Sequence, residues 1–380
     1  MAMKCAVASG PGQFRSLLGQ SVGSARIFLI SMQTHGAGSD FAVMSEVVRY
    51  LHEQHGFSLL CMASGFYDGL KIAENDLGLS LRSRMAGSLF RMYANAEELV
   101  ALFDHVEAHA GTAGGLRLAG VDVPMGGRFS SQCLIPEMMD YLDSHCLDRA
   151  GLDDFFSLCQ SYLSLEPVEH AARRRIMQEG LERLERQLSA SGHQDADFWR
   201  LMLENVKARY EFTEFGQSRD RQMANNFRAI YEALPKDEKV ILWGHACHHL
   251  PMEGSLGGFV KSWYGDDVYV CHLSGHGGHV IDFETGMATA IPEAAPGFVE
   301  EKLASLGMET ALITALPSRL ASPVGGIDLD DDVQVRLLAY SSSCPLNRVF
   351  SSADERGLID AIVFTRDIVP TRQIPGGTAC

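Results

Sequence analysis

Histidines beside glycines mark the first place where this sequence could do chemistry. His35 lies in the stretch Gln33-Thr34-His35-Gly36, shortly after the apolar run 25–30. An imidazole titrates near neutral pH, so it can accept or donate a proton under working conditions. The neighbouring glycine allows another backbone segment to approach closely. These features fit a catalytic acid–base role for His35, and they fit equally a histidine that only satisfies a loop.

A second histidine cluster follows the apolar run 239–243. The segment Trp243-Gly244-His245-Ala246-Cys247-His248-His249 places three imidazoles within five residues. At a strand end, His245 and His248 could converge on one point, and we predict that both take part in catalysis. The alternatives are a polar cluster that closes the sheet edge, a zinc site and a thiol nucleophile at Cys247. We predict no metal, because the cluster lacks the carboxylate or thiolate partners that commonly complete such sites.

A third group of histidines surrounds a glycine-rich segment. His272, His276 and His279 flank or interrupt the segment 274–278. Glycine-rich turns often need positive φ angles, and histidines within them can be incidental. The role of this group stays open.

The elements that position the first histidine form a strand, a helix and a strand. The run 25–30 is apolar, and the residues of 41–51 that recur at three and four positions predict a helix. The run 57–62 predicts the next strand. Strand, helix and strand in so short a span indicate a βαβ unit with a parallel pair. Because ligands collect at the carboxyl ends of parallel strands, the loops 31–39 and 63–68 become candidate site loops.

The remaining pattern extends this sheet and interrupts it once. Asn95, with Glu98 three residues later, resembles a capping box and predicts a helix start. The segment 120–122 predicts a third strand end, and the run 239–243 and the segment 267–272 predict later strands. Between them, 135–235 is helical and poor in strands. The sequence therefore predicts an α/β fold with a mostly parallel or mixed central sheet flanked by helices. Residues 1–134 and 236–380 would form the core domain that carries the site, and 135–235 a helical insertion that covers the pocket.

Composition limits the classes of function and partner. The chain has 380 residues, 46% of them hydrophobic, and a formal net charge of −16. An acidic surface repels phosphate backbones and anionic lipids, so we expect neither nucleic acid nor membrane as a partner. There is no apolar run of membrane-span length and no basic segment followed by an apolar one at the start, which favours the cytoplasm. The nine cysteines lack CxxC spacing, which argues against a disulfide framework and a structural zinc site. We expect a small-molecule substrate and no cofactor; the oligomeric state stays open.

These pieces, in this order, resemble the erythromycin esterase family. The family pattern Gly-Glu-x-x-His-Gly corresponds to Ser31-Met32-Gln33-Thr34-His35-Gly36, and its Gly-x-Asp corresponds to 120–122. Its Arg-Asp-x-x-Met-Ala-x-Asn matches Arg219-Asp220-Arg221-Gln222-Met223-Ala224-Asn225-Asn226. Its Trp-x-His-Asn-x-His is similar to 243–248, with Ala246 in place of asparagine. The resemblance implies that His35 activates a water molecule with the help of acidic neighbours and an arginine.

The sequence departs from the family at the charged positions. Met32 stands where the family has its first glutamate, and Met44 stands where it has the arginine of the first helix. Its second glutamate corresponds to Ala63, or to Met62 if the register is shifted by one. Carboxylates orient an imidazole and stabilise its charged form, and an arginine stabilises developing negative charge. Losing such groups typically lowers a rate on the order of 10²–10⁴-fold. Asp40 or Asp68 could substitute for them if either reaches the site.

The resemblance and the departures lead to three expectations about function. The first is His-centred proton transfer on a bulky lipophilic natural product of the polyketide or macrolactone type, in a non-hydrolytic reaction such as cyclisation, elimination, isomerisation or internal acyl transfer. The alternatives are a metal-independent ester or lactone hydrolase and a non-catalytic binding or resistance protein. The residues expected to bind the substrate are Met32, Gln33, Met44, Ala63, Phe66, Tyr67, Asp68, Asp122 and Arg219.

Overall fold

The structure is a computed structural model that describes residues 3–74, 78–167, 172–283, 285–315, 326–329, 334–337, 348–351 and 358–374. The strands in these ranges are β1 Met3–Ser9, β2 Ile27–Met32, β3 Phe57–Gly65, β4 Arg117–Asp122, β5 Lys239–His245, β6 Val268–Ile281, β7 Ala288–Ile291, β8 Thr310–Ala315, β9 Gly326–Leu329, β10 Gln334–Leu337, β11 Arg348–Ser351 and β12 Ala361–Ile368. Within the described part of the chain, no helix has the length and apolar character needed to cross a membrane.

The helices fall between these strands and dominate the middle of the chain. They are α1 Pro11–Val22, α2 Gly38–His55, α3 Phe66–Glu74, α4 Leu81–Met85, α5 Arg91–Ala94, α6 Val100–Ala108, α7 Arg128–Gln132, α8 Leu134–Ser144, α9 Asp153–Leu163, α10 Arg173–Ser191, α11 Ala196–Phe215, α12 Asp220–Glu232, α13 Ala246–His249, α14 Leu256–Tyr264 and α15 Val299–Ser305. The chain divides into two compact units. The first comprises Met1–Cys61, Asn95–Arg117 and Leu234–Gly377, and the second comprises Met62–Ala94, Leu118–Ala233 and Thr378–Cys380.

The first unit is built on a mixed sheet, as the sequence predicts. Its strand order is β3–β5–β2–β6–β12–β8–β1–β9, with β7 paired to β6. Strands β5, β2, β6 and β12 run parallel, while β8, β1, β9 and β7 pair antiparallel. All six residues of β2 are buried, which is typical of a strand covered on both faces. The expected parallel pair of β2 and β3 is wrong in one respect: β5 lies between them, so the α2 crossover passes over one strand position.

Helix α2 confirms the periodicity that predicts it. Its buried residues include Phe41, Met44, Val47 and Leu51, which repeat on one face. The helix ends at Gly56, whose left-handed backbone lets its N–H donate to the Leu51 carbonyl oxygen. This helix leads the chain from the loop that carries His35 to β3.

The helix start predicted at Asn95 is wrong in detail. A short 3₁₀ turn, Glu97–Leu99, precedes α6, and its cap residue is Ala96. Glu98 does not close a capping box. Its carboxylate accepts hydrogen bonds from the Thr371 hydroxyl at 2.9 Å and the Arg372 backbone N–H at 3.0 Å. The spacing from Asn95 predicts that Glu98 caps the helix. In the structure, Glu98 instead binds a segment that is distant in sequence.

The second unit is mainly helical. It contains α8–α12, and it also includes the end of β3, helices α3–α5, strand β4 and α7. Its core is a continuous apolar cluster to which α8, α9, α10 and α11 contribute, with Leu142, Phe155, Leu184 and Met202 among the buried side chains. The prediction that 135–235 is helical and poor in strands is confirmed by α8–α12 in the described part of this segment. That the segment 135–235 covers a pocket stays a prediction.

Candidate active site

The first unit brings His35 and His245 together. His35 follows β2 and His245 ends β5, and these two strands pair in parallel with Met32 opposite His245. The centroids of the two imidazole rings lie 5.0 Å apart, with their planes tilted by 39°. His245 is buried and His35 is half-buried. Parallel pairing thus places the two predicted histidines at the carboxyl end of the sheet, where α/β proteins hold their ligands.

Gly36 fixes the loop that carries His35. Its carbonyl oxygen accepts hydrogen bonds from the backbone N–H groups of Ile281 and Thr371, both at 3.0 Å. A Cβ atom at position 36 would lie 2.8 Å from the Ile281 nitrogen and closer still to the Ile281 carbonyl oxygen. Only glycine admits so close an approach of a second backbone. The glycine of the motif therefore sets the position of the neighbouring imidazole.

The hydrogen bonding of His245 assigns its ring proton. His245 is the N-cap of α13, and its Nδ1 accepts the Cys247 backbone N–H at 3.2 Å. Because Nδ1 is an acceptor, the neutral imidazole carries its proton on Nε2. His245 can therefore donate a hydrogen bond from Nε2, while its Nδ1 is held by the start of α13.

Cys247, which the sequence offers as an alternative thiol nucleophile, lies next to this pair. Its Sγ lies 3.0 Å from His245 Nδ1, and the side chain is exposed. Burial around the sulfur raises the pKa of the Cys247 thiol, but His245 and His248, when their rings are protonated, stabilise the thiolate and lower this pKa to about 6. The thiol meets the ring because α13 turns the chain immediately after His245.

Asp40 lies beside the site loop but is held by Gln33. The Gln33 backbone N–H and its side-chain Nε2 donate to the two carboxylate oxygens at 3.2 and 2.8 Å. Burial raises the pKa of Asp40 to about 7, and the two hydrogen bonds from Gln33 only partly oppose this. Both carboxylate oxygens are used to shape the loop between β2 and α2.

His272 belongs to the structural support of the site. Its Nδ1 lies 2.7 Å from the Ser31 hydroxyl, and its Nε2 lies 3.2 Å from the Arg336 carbonyl oxygen. Nε2 must donate to that carbonyl, so Nδ1 accepts from Ser31. Burial lowers the pKa of His272 to about 4, which keeps the ring neutral at physiological pH. His272 therefore locks β2 to β6 at the end where His35 and His245 lie.

The other histidines of the two clusters take different positions. His248 is half-buried on α13, and His249 is fully buried. A Cβ at Gly244 would lie 2.6 Å from His249 Nδ1, so the glycine of the Trp-Gly-His motif makes room for that ring. His276 Nε2 lies 3.8 Å from Glu293, and His279 is exposed.

The residues that replace the family's charged groups are buried. Met32 and Met44 have no exposed surface, and Ala63 is 6% exposed. Met32 and Met44 belong to the first unit, and Ala63 belongs to the second. The three positions therefore carry uncharged side chains that are shielded from solvent. Their role in binding a substrate stays a prediction.

In the second unit, Asp68 organises the start of α7. Its carboxylate accepts hydrogen bonds from the Phe129 and Ser130 backbone N–H groups, at 2.9 and 3.2 Å, and from the Ser130 hydroxyl. Burial raises the pKa of Asp68 to about 6, although these hydrogen bonds oppose the shift. The neighbouring Phe66 and Tyr67 are also buried, and both belong to the apolar cluster of this unit. Asp68 thus has a structural task that its sequence context did not indicate.

Asp122 and Arg219 form an ion pair in the second unit. Arg219 Nε and Nη2 donate to the two oxygens of Asp122 at 2.7 and 3.1 Å. Asn226 supports the same strand, because its side-chain amide donates to the Val121 carbonyl oxygen at 3.0 Å. The motif residues of β4 and α12 that the sequence singled out are therefore partners of each other. Within the described ranges, no group of three or more histidine, cysteine or acidic side chains has a geometry that could hold a metal ion.

Comparison with known proteins finds a family whose sequence pattern matches most of this chain. The model of the family described as erythromycin esterase matches residues 52–334. The Bacillus subtilis (strain 168) protein named "Putative hydrolase YbfO" is 27% identical over 270 residues, which is 63% of this chain and 58% of that protein's length.

Solved structures share the fold at low sequence identity. A Bacillus cereus protein has a TM-score of 0.72 at 16% identity, covering 94% of this chain and 92% of its own. A succinoglycan biosynthesis protein has a TM-score of 0.69 at 15% identity, covering 96% and 93%. A mutant of erythromycin esterase EreC in its open conformation has a TM-score of 0.66 at 15% identity, covering 96% and 95%.

Proposed function

Because this chain belongs to the erythromycin esterase family, we propose that it hydrolyses an ester or lactone, with His35 as the group that takes the proton from the attacking water. The family is a family of hydrolases, and the Bacillus subtilis relative is named as one. The observation that carries the proposal is the pair of imidazoles, His35 and His245, 5.0 Å apart at one end of the sheet. We further propose that this hydrolysis requires no metal ion.

The two rings suit different halves of the reaction. His245 Nδ1 is engaged by the Cys247 N–H, so its Nε2–H is suited to donate to a carbonyl oxygen. His35 is half-buried and is the ring suited to receive a proton. The water oxygen bonds to the carbonyl carbon as its proton passes to His35. The tetrahedral intermediate then expels the alkoxide, which takes the proton back from His35 and leaves as an alcohol.

The substrate we propose is a bulky lipophilic natural product of the polyketide or macrolactone type. The family name supports this class, and so do the uncharged side chains of Met32 and Met44 at positions where the family carries charge. Apolar walls favour a ligand with extended hydrocarbon surface. His248, half-buried on α13, is the third residue we assign to this chemistry.

A second candidate function is internal acyl transfer or another non-hydrolytic rearrangement of the same substrate class. The specific observation in its favour is that Asp40 accepts from Gln33 and Asp68 accepts from Ser130, so both acids have structural partners. An imidazole without a carboxylate helper is a weaker base towards water. A folded substrate whose own hydroxyl lies near its carbonyl would compensate by proximity.

The mass of the product distinguishes the two candidates. The purified protein would be incubated with macrolactones and linear polyketide esters in ¹⁸O-labelled water. Hydrolysis is supported by a lactone product heavier by one labelled water, or by a labelled acid and an unlabelled alcohol from a linear ester. A product of unchanged or dehydrated mass supports the rearrangement. Tight binding without turnover of any substrate would indicate a non-catalytic binding protein and refute both candidate reactions.

The same assay needs variants that separate the site from the fold. His35→Asn should lose the product, while His279→Asn, which changes an exposed histidine of the same unit, should keep it. Loss of product in both variants would mean that the chemistry does not depend on the His35–His245 pair.

A further inference from the structure

Three histidines other than the His35–His245 pair meet where α6 packs against α2. His52 lies in the last turn of α2, His105 lies in α6, and His109 caps the C-terminus of α6. The ring centroids of His52 and His105 are 5.0 Å apart, those of His105 and His109 are 4.2 Å apart, and those of His52 and His109 are 5.2 Å apart. All three belong to the first unit, and we call them the imidazole cluster.

Hydrogen bonds determine which nitrogen of each neutral ring carries the proton. His52 Nε2 lies 3.0 Å from the Gly114 carbonyl oxygen, which can only accept, so Nε2 is protonated and Nδ1 is bare. His105 Nε2 therefore donates to His52 Nδ1 at 2.9 Å. His109 Nδ1 donates to the His105 carbonyl oxygen at 2.8 Å. Through these bonds the neutral cluster joins α2 to α6 and to the segment 110–115 that follows it.

The bond between His52 and His105 can hold one added proton but not two. With one added proton, one ring donates to the bare nitrogen of the other. With two, the N–H groups on His52 Nδ1 and His105 Nε2 point at each other across 2.9 Å, and two positive rings lie side by side. A charged His109, whose ring centroid is 4.2 Å from that of His105, adds to the repulsion. Acid therefore converts an attractive contact between α2 and α6 into a repulsive one.

The charged groups around the cluster compensate this repulsion only in part. Glu53 of α2 has its Oε1 3.8 Å from His105 Nδ1, but its side chain is 46% exposed, and solvent weakens its attraction for a charged ring. Arg49 of the same helix adds positive charge. The segment 110–115 has no ionisable side chain, and the two glutamates of the 3₁₀ turn before α6 bind the segment 371–372.

The titration of His105 gives the direction of the effect. Burial, followed by the charges of His109 and His52, lowers the pKa of His105, and Glu53 only partly opposes this. The unfolded chain therefore binds a proton at this ring more readily than the folded chain does. The cluster stabilises the fold above the unfolded pKa of a histidine, about 6.5, and this stability is lost as the pH falls below it.

We propose that the imidazole cluster is an acid-sensitive clamp. With neutral rings, it holds the end of α6 and the segment 110–115 to α2. As the pH falls from about 7 to about 5, the range in which imidazoles titrate, the rings become charged and release both. The proposal is independent of the reaction at His35.

Hydrogen–deuterium exchange of the full-length protein tests the release, because it measures local opening and separates this segment from acids elsewhere in the chain. Protection factors, corrected for the pH dependence of chemical exchange, would be compared at about pH 7.5 and about pH 5.5. We expect peptides within 100–116 to lose protection roughly tenfold or more in acid, and α11, which contains no histidine, to keep its protection within about twofold. Equal protection of 100–116 at both pH values would overturn the proposal.

Variants separate the cluster from other effects of acid. His105→Gln should keep 100–116 protected at both pH values, because its amide can donate to His52 or accept from it and does not titrate. His279→Gln, which changes an exposed histidine of the same unit, should respond to acid as the unaltered protein does. An undiminished acid response in His105→Gln would overturn the proposal. Glu53→Gln removes the compensating acid and should move the release to higher pH; an unchanged or lower midpoint would contradict the proposal even if His105→Gln does not fold.

Discussion

Replacing Gly36 by alanine tests how strictly the backbone positions the site. The added Cβ would lie 2.8 Å from the Ile281 nitrogen and 2.9 Å from its carbonyl carbon, and neither is the end of a flexible side chain. Overpacking of this kind costs about 1–3 kcal/mol. The shift would also strain the hydrogen bonds that Ile281 and Thr371 donate to Gly36, each contributing about 0.5–1.5 kcal/mol. We therefore expect the free energy of unfolding to fall by roughly 2–6 kcal/mol.

The assay is urea unfolding compared with a matched glycine. Gly12 lies within α1, and a Cβ there would have no atom within 4 Å. Gly12→Ala should stabilise the protein by about 0.5–1 kcal/mol, because alanine loses less backbone entropy in a helix. In Gly36→Ala protein that remains folded, turnover should also fall, since His35 moves with its loop. If the two variants unfold at the same urea concentration, the close approach at Gly36 does not hold the loop, and our reasoning about it is wrong.

Three further predictions concern the thiol, the buried acid and metals. Cys247→Ala should keep turnover within a few-fold of the unaltered protein, because water is the proposed nucleophile; loss of turnover, or an acyl adduct on Cys247 by mass spectrometry, would instead support a covalent route. Asp40 has its folded pKa raised from 3.8 to about 7, so the folded state binds the extra proton and stability should decline as pH rises from 4 to 7. Asp40→Asn should flatten this decline in urea titrations at several pH values, and an unchanged slope would show that Asp40 is not its source. Exhaustive treatment with a chelator should leave turnover unchanged, whereas loss that zinc restores would contradict the metal-independent route.

Local pattern was enough to predict the strands that carry the histidines. The apolar runs before His35 and His245 are buried strands, and the helix between β2 and β3 has the periodicity expected of it. Strand order was not predictable in the same way. The insertion of β5 between β2 and β3 depends on pairing between segments about 200 residues apart, which no local pattern encodes.

Side-chain partners were harder to predict than elements. Glu98 has the spacing of a capping box but binds Thr371 and Arg372. The glycine-rich context of His272 left its role open. In the structure, its ring bonds the Ser31 hydroxyl and the Arg336 carbonyl oxygen. Each of these contacts joins segments distant in sequence.

The sequence names Cys247 as an alternative nucleophile, but it does not predict the contact of this thiol with His245. Cys247 meets His245 only because α13 begins immediately after the strand.

The central claim is that His35 carries the proton in the reaction, and one comparison tests it most directly. Single-turnover rates with a saturating ester or lactone would be measured for the unaltered protein, His35→Asn and the exposed control His279→Asn, after urea unfolding has shown that all three are equally folded. We expect His35→Asn to react on the order of 10²-fold more slowly or worse, and His279→Asn to react at the unaltered rate. A folded His35→Asn protein that turns over at the unaltered rate would contradict the account.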